Sequence, residues 1–473
     1  MDILPDELCQ QIFALLAGFE QRFDLVRPNL HAFNDAVRAP FRIAATCTRW
    51  RKLVLDSPEL WSFVYVRDNR PVDDAHLRVC IERSKRHLLD IWIHSDVKLP
   101  RQGGNNDAKS KPDNPVIFFE WLDLLQRNIH RWRRIRIDFP CPTPIDKFHP
   151  FTQPMPLLEH LVLSTPSTAF DQELVNTDRN SELYPQQLYF HCCPNLRLLA
   201  SHAAVMIPAA VLSGLECLNF SLRGVSDDEP LRAALAMTPG LKELNIYYPY
   251  GAYLRYQREP PPSPLHMPAL RRLGILGNSR YFNKDDWDKY LTAPNLETLM
   301  VSIEHCNRIS ATFASFSSTV RHIVLTTAEN GRSNGFFSQR DARALDSLFN
   351  IETLELRDIP PRMINGNPGE FFRSFEGFGD LNNPVPKWGP TFRKLILRDC
   401  TIYLESCGSL ASLVDTRTTA ARDAAGPEFE LNLIGTRFMK RMHDKVPESF
   451  GPVMHLFEHS IVAEVEPPAE REE

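Results

Sequence analysis

Two periodicities divide this chain. Over the first sixty-odd residues apolar positions recur at helical spacing, and beyond Val66 they recur in a repeated strand-like motif. Pro5 suits the first position of a helix, where its missing N–H costs nothing and its φ is preset. Asp6 and Glu7 then put negative charge where the helix dipole favours it. Leu8, Ile12, Leu15 and Leu16 share one face, widened by Cys9 and Phe13, and Gly18 ends the pattern. Residues 18–39 read as a longer connection with room for helical turns, and Pro40 as the start of the next element. Ile43, Cys47, Trp50 and Val54 follow at steps of 4, 3 and 4, the spacing of a single helix face. Ser57-Pro58-Glu59 predicts another helix start, with Ser57 as cap and Leu60-Trp61 as an apolar tip. Three helices this short cannot bury so much apolar surface alone, so a partner is expected.

The second pattern has the form L-x-x-L-x-L/I. It occurs at Leu88/Ile91/Ile93, Trp132/Ile135/Ile137, Leu158/Leu161/Leu163, Leu196/Leu199, Leu215/Leu218/Phe220 and Leu241/Leu244/Ile246. It continues at Leu270/Leu273/Ile275, Leu296/Leu299/Val301, Val320/Ile323/Leu325, Ile351/Leu354/Leu356 and Phe392/Leu395/Leu397. A turn signal often precedes it, as in Met155-Pro156, Pro194-Asn195, Pro239-Gly240, Met267-Pro268 and Pro294-Asn295. From Leu215 to Val320 the first positions are 26, 29, 26 and 24 residues apart, the period of leucine-rich repeats. Helical stretches are expected at 72–86, 115–130, 231–238, 284–292, 307–317 and 340–349, giving an α/β alternation. Insertions are expected at 164–190 and 361–390, and exposed loops at 101–114, 257–268 and 361–390. Phe371, Phe372, Phe375 and Phe378 in the last loop read as packing residues ahead of a ligand contact. No asparagine ladder of a regular leucine-rich repeat is legible, so the array is degenerate. The predicted fold class is therefore α/β: a short helical domain at 1–66, an irregular leucine-rich-repeat-like solenoid with a curved parallel sheet at 67–440, and a tail at 441–473 whose acidic end is expected to be disordered.

Composition narrows the classes of function. A formal charge of −5 and a pI near 6.3 give no global field toward nucleic acid or an anionic membrane. The start is acidic and lacks the basic region of a signal peptide, and no apolar run reaches the length of a membrane span. The ten cysteines show no zinc-site spacing. Even His191-Cys192-Cys193 reads as loop and core thiols, because neighbouring cysteines cannot easily face one metal. A soluble protein of a reducing compartment, without metal or cofactor, fits these features.

One motif points to enzymology. Gly331-Arg332-Ser333-Asn334-Gly335 matches the G-x-S-x-G of a nucleophile elbow, for which Asp346 and His455 are conceivable partners. An elbow enters its helix directly, whereas the helix expected here starts several residues later, so a glycine turn between repeats is the preferred reading. Arg131, Arg133, Arg134 and Arg136 form the densest basic patch. Their interleaving with Trp132, Ile135 and Ile137 is that of a strand with one buried side, with a solvated face preferred over a patch for acidic partners.

The first sixty-two residues resemble the F-box. The matching positions are Leu4-Pro5-x-Glu7-Leu8, Ile12-Phe13 and Leu16, then Cys47-x-x-Trp50-Arg51, Leu53 and Pro58-x-Leu60-Trp61. The insert between the first helix and Pro40 is longer than in the compact motif. The whole chain is similar to the F-box-plus-repeat proteins abundant in mushroom-forming fungi, including the phrases Glu82-Arg83-Ser84-Lys85 and His130-Arg131-Trp132-Arg133. The resemblance implies a non-enzymatic substrate receptor of a cullin–RING ubiquitin ligase, acting in the cytoplasm or nucleus. Its F-box would dock a Skp-type adaptor and its repeats would hold an unknown protein substrate. By the same resemblance Leu4, Pro5, Glu7, Leu8, Ile12, Phe13, Leu16, Cys47, Trp50, Leu53, Leu60 and Trp61 form the adaptor-docking unit, some of them holding the helices together. A scaffold that binds the adaptor without ubiquitination, and a serine hydrolase using Ser333, are the alternatives.

Overall fold

The computed structural model is an α/β structure whose main sheet has thirteen parallel strands. It describes residues 4–16, 30–67, 73–94, 123–138, 153–164, 193–201, 212–221, 228–248, 264–277, 291–303, 318–327, 350–360, 391–403, 406–423 and 426–439, together with Phe316, Leu345, Leu348 and Phe372. The chain forms two compact units, 1–219 and 220–473.

The first unit opens with three helices, α1 (Asp6–Leu16), α2 (Leu30–Thr46) and α3 (Thr48–Asp56), followed by a 3-10 turn at Pro58–Trp61. Two details differ from the sequence expectation. Pro40 lies inside α2, ten residues past its start, so the second helix begins within the stretch read as a connection. The face predicted to run from Ile43 to Val54 is broken at Cys47, which is extended (φ −156, ψ 167) and caps α3 by accepting a bond from the Trp50 N–H at 3.4 Å. The even spacing of apolar residues persists across the break, which is why periodicity alone fuses the two helices.

The helices lead directly into β1 (Phe63–Arg67), α4 (Asp73–Arg83), β2 (Leu89–His94), β3 (Trp132–Asp138), β4 (His160–Ser164), β5 (Leu198–Ser201) and β6 (Cys217–Ser221). The sequence boundary at 66 falls inside β1, and Val37 of α2 packs with Phe63 and Trp92 of the first two strands. Arg131 joins two further segments. It donates to Ser84 Oγ at 2.7 Å and to the His87 carbonyl at 3.0 Å, tying the end of α4 to the start of β3.

The second unit contains α5 (Asp228–Ala236), β7 (Glu243–Tyr248), β8 (Leu265–His266), β9 (Arg272–Gly277), β10 (Leu291–Thr292), β11 (Thr298–Ser302), β12 (His322–Thr326), β13 (Thr353–Arg357), β14 (Lys394–Arg398), β15 (Thr401–Tyr403), α6 (Cys407–Asp423), β16 (Glu430–Ile434) and β17 (Arg437–Met439). The main sheet runs β1 to β7, then β9, β11, β12, β13, β14 and β16, while β8 pairs with β10 and β15 with β17. α4 and α5 lie where helices were expected at 72–86 and 231–238, whereas Leu291 and Thr292, the last two positions of the helix expected at 284–292, form the short strand β10 and the rest of that stretch lies outside the described residues.

The repeated motif explains the register. Successive strand residues point to opposite faces, so the second and third apolar positions of each motif line one face. Leu244, Leu273, Leu299, Ile323, Leu354, Leu395 and Leu431 form one column across the second unit, and Ile246, Ile275, Val301, Leu325, Leu356, Leu397 and Leu433 form the next. All fourteen are buried. Each such side chain contributes roughly 1.5–3 kcal/mol of transfer free energy, which offsets the entropy of ordering the strands.

The turn before each motif is equally regular. The N–H groups of Leu158, Leu196, Leu215, Leu241, Leu270 and Leu296 donate to the carbonyls of Met155, Cys193, Leu212, Thr238, Met267 and Ala293, each a buried residue three positions earlier. Three asparagines stitch one turn to the previous one. Asn195 Nδ2 donates to the Pro156 carbonyl at 2.7 Å, Asn295 to Pro268 at 2.8 Å and Asn350 to Ser318 at 3.2 Å. Each of these asparagines stands just before the first apolar position of its motif.

Candidate docking surface

α1 has two apolar faces and only one is packed. Cys9 and Phe13 are buried, and Phe13 meets the Trp50 ring of α3 edge-on with centroids 5.3 Å apart. Arg49 of α3 fixes the helix start, donating to Asp6 Oδ1 at 2.7 Å and to the Leu4 carbonyl at 2.5 Å. Gln10 Nε2 donates to Ser57 Oγ at 3.1 Å, so α1 is held at its start and its middle. The other face carries Leu4, Leu8, Ile12, Leu15 and Leu16, which are 44, 44, 42, 76 and 61% exposed. These five account for most of the exposed large apolar side chains among the described residues.

The sequence-derived docking residues thus separate into two groups. Leu4, Pro5, Glu7, Leu8, Ile12 and Leu16 are exposed along α1 and its start, Cys47 is exposed at the head of α3, and Trp50 is half-buried. Phe13, Leu53, Leu60 and Trp61 are inside. The Leu60-Trp61 pair, expected as an apolar tip, is 2% exposed at both residues. Trp61 Nε1 donates to the Val54 carbonyl at 2.8 Å, its ring meets Phe41 at 5.0 Å, and the Arg83 guanidinium lies 5.0 Å over it. Burying an indole requires a partner for its N–H, and the Val54 carbonyl near the end of α3, which also accepts the Ser57 N–H at 3.3 Å, supplies it. Ser57 also differs from expectation. Its hydroxyl donates back to the Leu53 carbonyl at 2.7 Å and forms no side-chain cap on the 3-10 turn. Leu15 was read as an apolar face position of α1, without a docking role, yet it is the most exposed residue of the row.

The basic patch on β3 is largely used internally. Arg133 grips Asp90 with Nε at 3.0 Å and Nη2 at 2.6 Å, and Arg136 Nε bonds Asp138 at 2.8 Å while its guanidinium lies 4.9 Å over Trp92. Asp138 also accepts from Trp92 Nε1 at 2.5 Å and lies 3.2 Å from His94 Nδ1. Beside this network burial and the neighbouring Arg134 push His160 down to about 4, so its ring is neutral at pH 7. Arg133 and Arg136 thus hold strands of the sheet together.

Ser333, Asp346 and His455 lie outside the described residues, as do His191, Cys192, Phe371, Phe375, Phe378, the segment 101–114 and the tail 441–473. Phe372 is described and fully buried, in keeping with a packing role. Among the described residues no helix is long and apolar enough to cross a membrane, and no group of three metal-binding side chains gathers. No protein-family model matches this chain, and none of the curated proteins matches it.

Proposed function

We propose that this chain is the substrate-recognition subunit of a cullin–RING ubiquitin ligase. In this reading the N-terminal helices act as an F-box that docks a Skp-type adaptor, and the strand repeats act as a leucine-rich-repeat-like array that holds a protein substrate. The chain itself is non-enzymatic and works by proximity and orientation in the cytoplasm or nucleus. The observation that carries the reading is the exposed row Leu4, Leu8, Ile12, Leu15 and Leu16. An apolar stripe left uncovered on a short helix, beside a second stripe already packed, fits insertion into a partner's groove. The row coincides with the Leu4-Pro5-x-Glu7-Leu8 pattern on which the F-box resemblance rests. Leu53, Leu60 and Trp61 support the docking helix from behind in this scheme.

The test is co-purification of the full chain with a Skp-type adaptor. Binding is expected for the native chain, and Leu8→Ala with Ile12→Ala should weaken it about tenfold or more, as truncation of buried interface anchors does. Failure of the native chain to bind, or binding unchanged in the double variant, sinks the proposal. If the complex forms but no protein is ubiquitinated through it, the non-degradative scaffold role replaces the receptor role.

A further inference from the structure

One buried acid in the second unit holds more positive charge than it can neutralise. Glu355 of β13 is 3% exposed. Arg357 donates to its Oε1 through Nε at 3.0 Å and Nη2 at 2.8 Å, and Arg398 of β14 donates to the same oxygen through Nε at 2.8 Å. His322 Nε2 of β12 lies 3.6 Å from Oε2. Burial pushes the Glu355 carboxyl up, but the neighbouring His322, the charge of Arg357 and the bonds from both arginines outweigh it and bring it down to about 2. It is therefore a carboxylate at neutral pH, and it balances one guanidinium.

Among the described residues the second guanidinium has no acid of its own beyond the shared Glu355. Arg357 and Arg398 are direct register partners on adjacent parallel strands, and like charges set side by side in a sheet are unfavourable unless something lies between them. Their side chains are 30 and 37% exposed, and both terminal nitrogens of Arg398 lack an acceptor among the described residues. The aspartates that follow them turn the chain off the strands, with φ of 54 at Asp358 and 52 at Asp399, and neither pairs with the arginines. Nearby Lys394 is already matched by Glu430 at 2.8 Å. Glu355 thus fixes the guanidiniums from beneath while their outer edges stay open, an arrangement suited to an incoming oxyanion.

We propose that Arg357 and Arg398 anchor a carboxylate side chain in an acidic peptide segment of a protein partner. The two guanidiniums and the Glu355 carboxylate together carry one net positive charge, which complements a single carboxylate better than a doubly charged phosphate. The inference rests on the reading of the repeats as a substrate-holding array and names the chemistry of what they hold. Its test contains no adaptor, so its failure leaves the docking role of α1 untouched.

The probes are short fluorescein-labelled peptides of alternating Glu and Ser, the same peptide with Gln for Glu, and one with phosphoserine for Glu, read by anisotropy against the full chain. The Glu peptide should bind with an affinity that falls as salt rises, and the Gln peptide should not bind. Arg398→Gln, which leaves the Arg357–Glu355 pair intact, should weaken binding about tenfold. Arg271→Gln, which removes an exposed guanidinium from its pair with Glu297, should leave binding unchanged. Arg398→Lys keeps the charge but loses the fork, so it should also weaken binding, and it serves if Arg398→Gln does not fold. Equal binding of the Gln peptide, binding of the phosphoserine peptide alone, an unaltered affinity in the Arg398 variants, or an equal loss in Arg271→Gln overturns the assignment.

Discussion

α1 and the strand columns of the second unit are built from the same apolar residues, yet they meet different fates. Leu354 and Leu395 each lie between like residues on the strands to either side, and the repeat covers them completely. α1 has no repeated neighbour. Its Cys9 and Phe13 find α3, while Leu8 and Ile12 remain more than 40% exposed. A repeat supplies its own partner for every apolar position, whereas a lone helix with two apolar stripes needs something outside the chain. The charged residues show the converse. On α1 the acidic Asp6 is tied to Arg49, but on β13 and β14 one acid faces two arginines.

The strongest way to test that contrast is to truncate on each side of it. Trp61→Ala should cost about 3–5 kcal/mol in equilibrium unfolding, because it removes a fully packed ring together with its bond to the Val54 carbonyl. Leu8→Ala should stay within about 0.5 kcal/mol. A similar cost for both would dissolve the distinction between core and docking stripe. The next effect concerns the buried acid. Because the folded-state pKa of Glu355 is depressed, its contribution to stability is complete above its ordinary value of 4.5 and is lost as pH falls through about 2. Acid titration of unfolding free energy should show a drop on the order of 2 kcal/mol across that window. The drop should be absent in Glu355→Gln, and its persistence there would assign the acid sensitivity to other groups. The smallest effect belongs to the exposed ladder, where Glu352 bonds Arg321 at 3.0 Å and Arg393 at 2.9 Å. Glu352→Ala should change stability by less than about 1 kcal/mol, and added salt should shrink the difference further.

The strand columns were legible in the sequence because the L-x-x-L-x-L motif encodes side-chain alternation and the turn that precedes it. Which stripe of α1 packs inside was not legible, for an equally physical reason. Periodicity finds Leu8, Ile12, Leu15 and Leu16 and cannot say whether an apolar stripe meets its own chain or another. The buried stripe is the one that carries an aromatic ring with a facing tryptophan, and that pairing is a tertiary fact. Leu60-Trp61 failed as an exposed tip for the same reason, since Phe41 and Arg83, which meet the Trp61 ring, come from two other helices about twenty residues to either side. Glu355 was invisible because its importance depends on register. Only when β13 and β14 pair in phase do Arg357 and Arg398 become neighbours.

The asparagine and turn joints have an evolutionary consequence. Each asparagine joins its turn to the turn before the preceding motif, and each turn bond sets the first apolar position three residues on, so residues adjoining the strands suffice to fix these joints. First motif positions are 38 residues apart between Leu158 and Leu196 but 26 apart between Leu270 and Leu296, and the same asparagine bond closes both. Insertions and deletions between strands can therefore accumulate without a shift in pairing. Such an architecture lets a lineage rewrite its connecting segments freely while inheriting the frame intact.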